Sequence, residues 1–265
     1  MCAAVIVVTL ANAARLDHVR RQAELIPAGV GHIVVALGDD ELLRRALPGS
    51  EIIDAGSANL AAARNRGGDE AARRGAEVIV FLDADCLPGD RLLSRYVEAA
   101  RQHPEAVLAG PVTYLPEGEI RTNNPQPHPA RPNPQAGEIL KADRYELFWS
   151  LSFAVTAGTW EKIRATFGGF DEGYTGYGGE DTDFGQHLKR AGIVLLWVGG
   201  AHAYHQWHPV SDPPIEHLQD IVANATRFHE IWGWWPMGGW LDKFEAAGLV
   251  TFEGGRWKKT GRARG

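Results

Sequence analysis

Short apolar runs alternate with helical patterns along the first hundred residues, and that alternation admits few architectures. Residues 5–10, 33–37, 51–53 and 78–82 read as strands. Residues 11–25, 41–46, 58–74 and 90–102 read as helices, with Leu16, Val19 and Ala23 sharing one face of the first. Continuous apolar strands are those buried on both faces, and strands separated by helices run largely parallel. The expected fold is therefore α/β, a Rossmann-like and mostly parallel central sheet flanked by helices. Ligands bind such sheets beyond the carboxyl ends of the strands. Thr9, Asp39, Asp40, Asp83 and Asp85 all fall at those ends and are expected to converge on one crevice.

The last of these strands runs straight into Asp83-Ala84-Asp85. Two carboxylates one residue apart at a strand end suit a hard divalent cation such as Mg²⁺ or Mn²⁺, which often shares its oxygen ligands with substrate phosphates. Isolated acidic pairs also cap helices and solvate loops, so the strand before the pair matters more than the pair. Cys86 reads as a small apolar strand-end residue, not a nucleophile. With Cys2 it makes only two cysteines, too few for a disulfide framework, and a reducing cytoplasm is the expected compartment. The 265 residues suffice for a sizeable core, and a net charge of −6 argues against nucleic acid as a partner. No apolar stretch approaches the ~20 residues needed to span a bilayer. The opening residues lack the basic start of a signal peptide.

Beyond residue 115 the character changes. Pro116, Pro125, Pro127, Pro129, Pro132 and Pro134 sit among Asn, Gln and Arg, which predicts a mobile loop over 116–137, either a lid or a disordered excursion. Helices are expected at 160–167 and 182–191, then a strand at 193–198 and tryptophan-rich helices over 214–247. The stretch Gly176-Tyr177-Gly178-Gly179-Glu180-Asp181-Thr182-Asp183-Phe184 is the most specific of the chain. Glycines let backbone approach a ligand closely, and the acids open a helix whose dipole favours negative charge. Capping would explain the acids but not the glycines or Tyr177. His202, His205 and His208 recur at spacing three. With no fourth nitrogen or sulfur ligand evident they make a poor zinc site, and one of them joining Asp83 and Asp85 around Mn²⁺ or Mg²⁺ is more economical.

These motifs, in order and together with Ala203-Tyr204-His205-Gln206, resemble nucleotide-sugar glycosyltransferases of the GT-A fold. The likeness is to family 2 enzymes carrying a galactosyltransferase-type C-terminal region, bacterial chondroitin polymerase domains among them. It covers about residues 5–209 and implies a GT-A catalytic domain over 1–210, with a helical extension and basic tail over 211–265. The implied reaction is metal-dependent transfer of a hexose from a nucleotide-diphosphate sugar to a saccharide hydroxyl, with Mn²⁺ or Mg²⁺ as cofactor.

By the resemblance, Asp85 would ligate the metal and Asp83 would contact ribose or metal-bound water. His205 would be the further protein ligand, with His202 and His208 as second choices. Arg64 would lean on the donor diphosphate or sugar. Thr9, Asp39 and Asp40 match base and ribose positions, although the family's Asp-Asp-Gly-Ser spelling is missing. Tyr177, followed by Gly178 and Gly179, replaces the family's tryptophan as the acceptor platform. Glu180 and Asp181 would hold acceptor hydroxyls, with Asp181 as the base if configuration inverts. The segment Ile231-Trp232-Gly233-Trp234-Trp235-Pro236-Met237 is similar to actinobacterial members associated with methylmannose polysaccharides, which implies GDP-mannose as donor. UDP-sugars are the commoner donors among these relatives. The alternatives are a sugar-nucleotidyltransferase, whose N-terminal phosphate loop Thr9-Leu10-Ala11-Asn12 does not provide, and a silent carbohydrate-binding protein. The basic run over 256–264 reads as a solubilising tail, or as a peripheral contact with an anionic membrane or an acidic glycan.

Overall fold

A computed structural model describes residues 4–38 and 40–260, so the expectation for Asp39 lies outside the described residues. The N-terminal half runs β1 (Val5–Ala11), α1 (Leu16–Leu25), β2 (Gly31–Ala36), α2 (Asp40–Ala46), β3 (Glu51–Asp54), α3 (Leu60–Arg73), β4 (Val78–Leu82), β5 (Cys86–Pro88) and α4 (Leu92–Gln102). Then come β6 (Val107–Ala109), β7 (Val112–Tyr114), β8 (Ile139–Lys141), β9 (Ser152–Thr156), α5 (Ala157–Phe167), α6 (Glu180–Arg190), β10 (Leu195–Val198) and β11 (Ala203–His205). The chain closes with α7 (Leu218–Trp232), α8 (Gly238–Ala246), β12 (Val250–Glu253) and β13 (Arg256–Lys259).

Eight strands form the main sheet in the order β3-β2-β1-β4-β9-β6-β10-β8. As expected, β3, β2, β1 and β4 are parallel, joined by helical crossovers. The other half departs from the parallel expectation. β9 lies antiparallel between β4 and β6, and β8 is antiparallel to β10. Between β7 and β9 the chain passes through β8 and a short 3₁₀ turn but no α-helix, so no helical crossover there enforces parallel pairing.

Every residue of β4 is buried, and Phe81 stacks on Phe153 of β9 at 4.4 Å between ring centroids. Phe153, Phe170 and Phe184 continue this aromatic core toward α6. α3 lies close against it because Gly68 offers no side chain. A Cβ there would run into the Trp160 indole and the Phe81 ring. A second sheet, β5-β11-β7, stands beyond the end of β4 and sets His205 opposite Cys86.

The proline-rich segment is irregular, but it is anchored. Arg131 is buried with its guanidinium 5.0 Å and 5.4 Å from the Trp197 and Trp149 ring centroids, and Pro127 bridges Thr113. After residue 210, α7, α8 and a hairpin enclose a small core of Ile221, Ala225, Leu241, Phe244 and Val250. The hairpin was not expected from the sequence. Arg256–Lys259 forms its second strand, and 261–265 lie outside the described residues. Among the described residues no helix is long and apolar enough to cross a membrane.

Candidate active site

Beyond Leu82 the chain turns at once. The amide of Cys86 donates to the carbonyl of Asp83 at 2.8 Å, and that of Gln206 to the carbonyl of Asp85 at 2.7 Å. On a continuing strand Asp83 and Asp85 would share one face; the turn sends them to different partners. Asp85 faces the histidines, with Oδ1 3.6 Å from Nε2 of His205 and Oδ2 3.4 Å from Nε2 of His208. One ligand atom from each of Asp85, His205 and His208 lies within 4.8 Å of the others. His208, a second choice by resemblance, takes the corner expected of Asp83. His202 is elsewhere, bonded to Thr113 Oγ1 at 2.8 Å. Arg15 also reaches this carboxylate, its Nε 3.4 Å from Oδ2 of Asp85.

Burial works against the charge of Asp85, yet the bond from His208, the charge His205 carries once protonated in acid, and the Arg15 guanidinium hold its carboxyl down at about 2. Burial lowers the basicity of His205, keeping the ring neutral at physiological pH, the form in which imidazole ligates metals. A carboxylate charged at all working pH values and a neutral imidazole suit a divalent cation.

Asp83 belongs to a second cluster, built around one buried guanidinium. Arg64 of α3 places Nη2 3.3 Å from Oδ1 of Asp83 and Nη1 3.1 Å from Oε1 of Glu180, above the Phe170 ring. This one cation contacts two acids and lies within the field of a third, Asp181. Burial, reinforced by Asp85 and Glu180, pushes Asp83 up to about 6 against the pull of Arg64. Burial and then the neighbouring Glu180 push Asp181 up to about 7. Tyr177 stands within the field of Asp181, Glu180, Asp85 and Asp83; burial and these acids push its phenol up to about 12. Residues from β4, α3, the Gly-rich loop and α6 thus meet in one place.

Two predicted donor contacts do not join them. Thr9 lies inside β1, fully buried, its hydroxyl engaged by Gln22 and His32, so it has no access to a ligand. The strand runs on to Ala11, two residues past Thr9. Asp40 opens α2 and pairs with Arg44 at 3.0 Å. Asp183, the third acid of the motif, is buried on Trp232 Nε1 at 2.7 Å and Tyr174 Oη at 3.2 Å, a structural anchor.

The Gly-rich loop is pinned from both sides. Asn65 brackets Phe170 through its amide and carbonyl, each at 2.9 Å, and Asn59 donates to the carbonyls of Glu172 and Tyr174. From α7, Asn224 donates to the carbonyls of Thr175 at 2.9 Å and Gly178 at 2.8 Å. Gly178 has φ +88°, and a Cβ there would lie 2.8 Å from Met237 Sδ. The Tyr177 ring, 38% exposed, stacks on His217 with 4.5 Å between centroids. Neither Arg15 nor Asn224 was expected as a contributor. Asn224 had a legible signal, a polar residue on the apolar stripe of Ile221, Ala225 and Phe228.

Residues 41–160, which hold Arg64, Asp83 and Asp85, match the glycosyl transferase family 2 model. Residues 141–208, which hold Tyr177, Glu180, Asp181, His205 and His208, match the model described as the N-terminal domain of galactosyltransferase. Superposition on a crystal structure of GalNAc-T7 with UDP, GalNAc and Mn²⁺ gives a TM-score of 0.58 over 87% of this chain, at 14% sequence identity. The chain has the GT-A fold. Escherichia coli chondroitin synthase is 29% identical over 159 residues, covering 49% of this chain. This GT-A chain spans 23% of that synthase and 48% of the GalNAc-T7 chain. Together the matches support a glycosyltransferase, in agreement with the motifs.

Proposed function

We propose that this GT-A chain is a metal-dependent hexosyltransferase acting between a nucleotide-diphosphate sugar and a saccharide hydroxyl. One observation carries the reading: a carboxylate–imidazole donor set and an acid cluster gathered on a buried arginine meet beside an exposed aromatic ring. Two imidazole nitrogens and one carboxylate suit Mn²⁺ better than Mg²⁺, which prefers oxygen alone. Asp85, His205 and His208 would hold the cation, which when bound neutralises the departing diphosphate as a Lewis acid. Arg15, its side chain 34% exposed beside Asp85, has room to turn its guanidinium onto the same phosphates.

Asp181, with its carboxyl near 7, is half deprotonated at neutral pH and suited to take the proton of an acceptor hydroxyl. That role requires inversion at the anomeric carbon. Glu180, tied to Arg64, orients the acceptor, and Tyr177 supplies a flat face for a sugar ring. Two donors fit the reading. The resemblance around Trp232–Trp235 favours GDP-mannose, and the nucleotide bound in the GalNAc-T7 crystal favours a UDP-hexose.

Thermal melts with Mn²⁺ plus UDP or GDP test the reading. Stabilisation by one nucleotide, dependent on Mn²⁺ and lost in Asp85→Ala, is expected. No shift with either nucleotide refutes it. A panel of UDP- and GDP-sugars, with the product linkage read by NMR, then identifies the donor and the stereochemical outcome.

A further inference from the structure

A single buried side chain fastens the turn that carries Asp85 from below. Gln22 of α1 donates from Nε2 to the carbonyl of Asp83 at 2.7 Å and to that of Cys86 at 2.8 Å, spanning both ends of the turn. Carbonyl oxygens only accept, so these two bonds decide which end of the amide is nitrogen. Oε1 of Gln22 must then accept, and the Thr9 hydroxyl donates to it at 2.7 Å. With its proton given away, Thr9 Oγ1 can only accept from Nε2 of His32, 3.2 Å distant. In a neutral ring that leaves Nδ1 of His32 as the acceptor for Ser50 Oγ at 2.7 Å. Burial lowers His32 to about 4, so the ring is neutral at physiological pH. Every proton between Ser50 and the turn therefore has one defined place.

Packing alone does not call for this chain of polar groups. Gln22 and Thr9 are fully buried and His32 is nearly so, between α1 and a sheet face otherwise lined by Ala, Val and Ile. Apolar residues would fill the same volume without any hydrogen bonds to satisfy. What the polar series adds is a fixed orientation for the Gln22 amide, and through it a fixed position for the turn.

We propose that Gln22 is a positioning residue for Asp85, oriented by a one-way hydrogen-bond relay from Ser50 through His32 and Thr9. The proposal rests on the reading of Asp85 as a metal ligand. Partners that orient a ligand from behind typically alter metal affinity or activity by roughly 10–100-fold when removed. The experiment is a titration of the full chain with Mn²⁺ alone, monitored by calorimetry or by EPR of free Mn²⁺. Gln22→Met should weaken Mn²⁺ binding by a factor in that range. Thr9→Val should weaken it in the same direction, and Thr9→Ser, which restores the hydroxyl, should bind as the parent does.

A purely structural role would lower the melting temperature of Gln22→Met and Thr9→Val while leaving Mn²⁺ affinity unchanged, and that result overturns the proposal. Nitrogen-15 NMR of the His32 ring gives a readout independent of metal. The Nε2–H tautomer supports the relay, and the Nδ1–H tautomer overturns it. If Gln22→Met does not fold, the Thr9→Val and Thr9→Ser pair decides the question. Parent-like Mn²⁺ binding by Asp85→Ala would instead bring down the metal-ligand reading itself, a failure distinct from that of the relay.

Discussion

Asp181 is half-buried beside Glu180, and both surroundings disfavour its charge. As a base it must lose its proton, so kcat/KM should rise with pH through about 7. Asp181→Asn should abolish that inflection and cost ~10²–10⁴-fold in rate. The same substitution should act on stability with a defined sign. The folded value of about 7 lies above the ordinary 3.8, so the native state holds this proton more tightly between those pH values. Its contribution to stability therefore falls as pH rises across that window. Asp181→Asn should melt higher than the parent at pH 8, and the difference should close toward pH 4. The histidines separate just as sharply. His208→Ala should weaken Mn²⁺ binding, whereas His202→Ala, which removes a partner of Thr113, should leave it intact.

Between elements, close approach and shared hydrogen bonds decide more than propensity does. Alanine is a better helix former than glycine by ~1 kcal/mol. Yet Gly68→Ala should destabilise, because its methyl meets the Trp160 indole and overpacking costs ~1–3 kcal/mol. A denaturant midpoint below that of the parent checks the sign. The contact between α7 and the Gly-rich loop has a functional counterpart. Asn224→Ala leaves the part-buried carbonyls of Thr175 and Gly178 without their donor, which should destabilise the loop by up to ~1–3 kcal/mol. Since this loop carries Tyr177, the KM for acceptor should rise while Mn²⁺ affinity stays constant.

Over the whole molecule, the segment after residue 210 is tied to the site. Asn224, Arg227 and Trp232 bond to Thr175, Asp171 and Asp183, and Tyr177 stacks on His217. A chain ending at 210 would deprive Asp183 of its indole donor and the Gly-rich loop of its outer support. Such a truncation should lower the melting temperature markedly and open the loop to proteolysis, which limited trypsin digestion would report. The expected boundary at 210 marks the end of the family resemblance, but strong contacts cross it.

Much of the architecture was written locally. Period and length marked β1 to β4 and their helices, because strands buried on both faces read as unbroken apolar runs. The spacing of Asp83, Tyr177, Glu180, Asp181 and His205 likewise marked side chains that gather in one place, since a strand end and a Gly-rich helix start are local features. Other outcomes depended on contacts distant along the chain. The antiparallel entry of β9 came from a return without a helix. His208 and not Asp83 stands beside Asp85 and His205, because one tight turn separated two acids that a straight strand would have kept on one face. Thr9 faces inward onto Gln22 because α1 packs over that face of β1. The sequence alone determined which residue types were available and near which strand ends they lie. Tertiary structure alone decided which of them share a field, since burial, turn geometry and charge coupling are properties of the assembled neighbourhood.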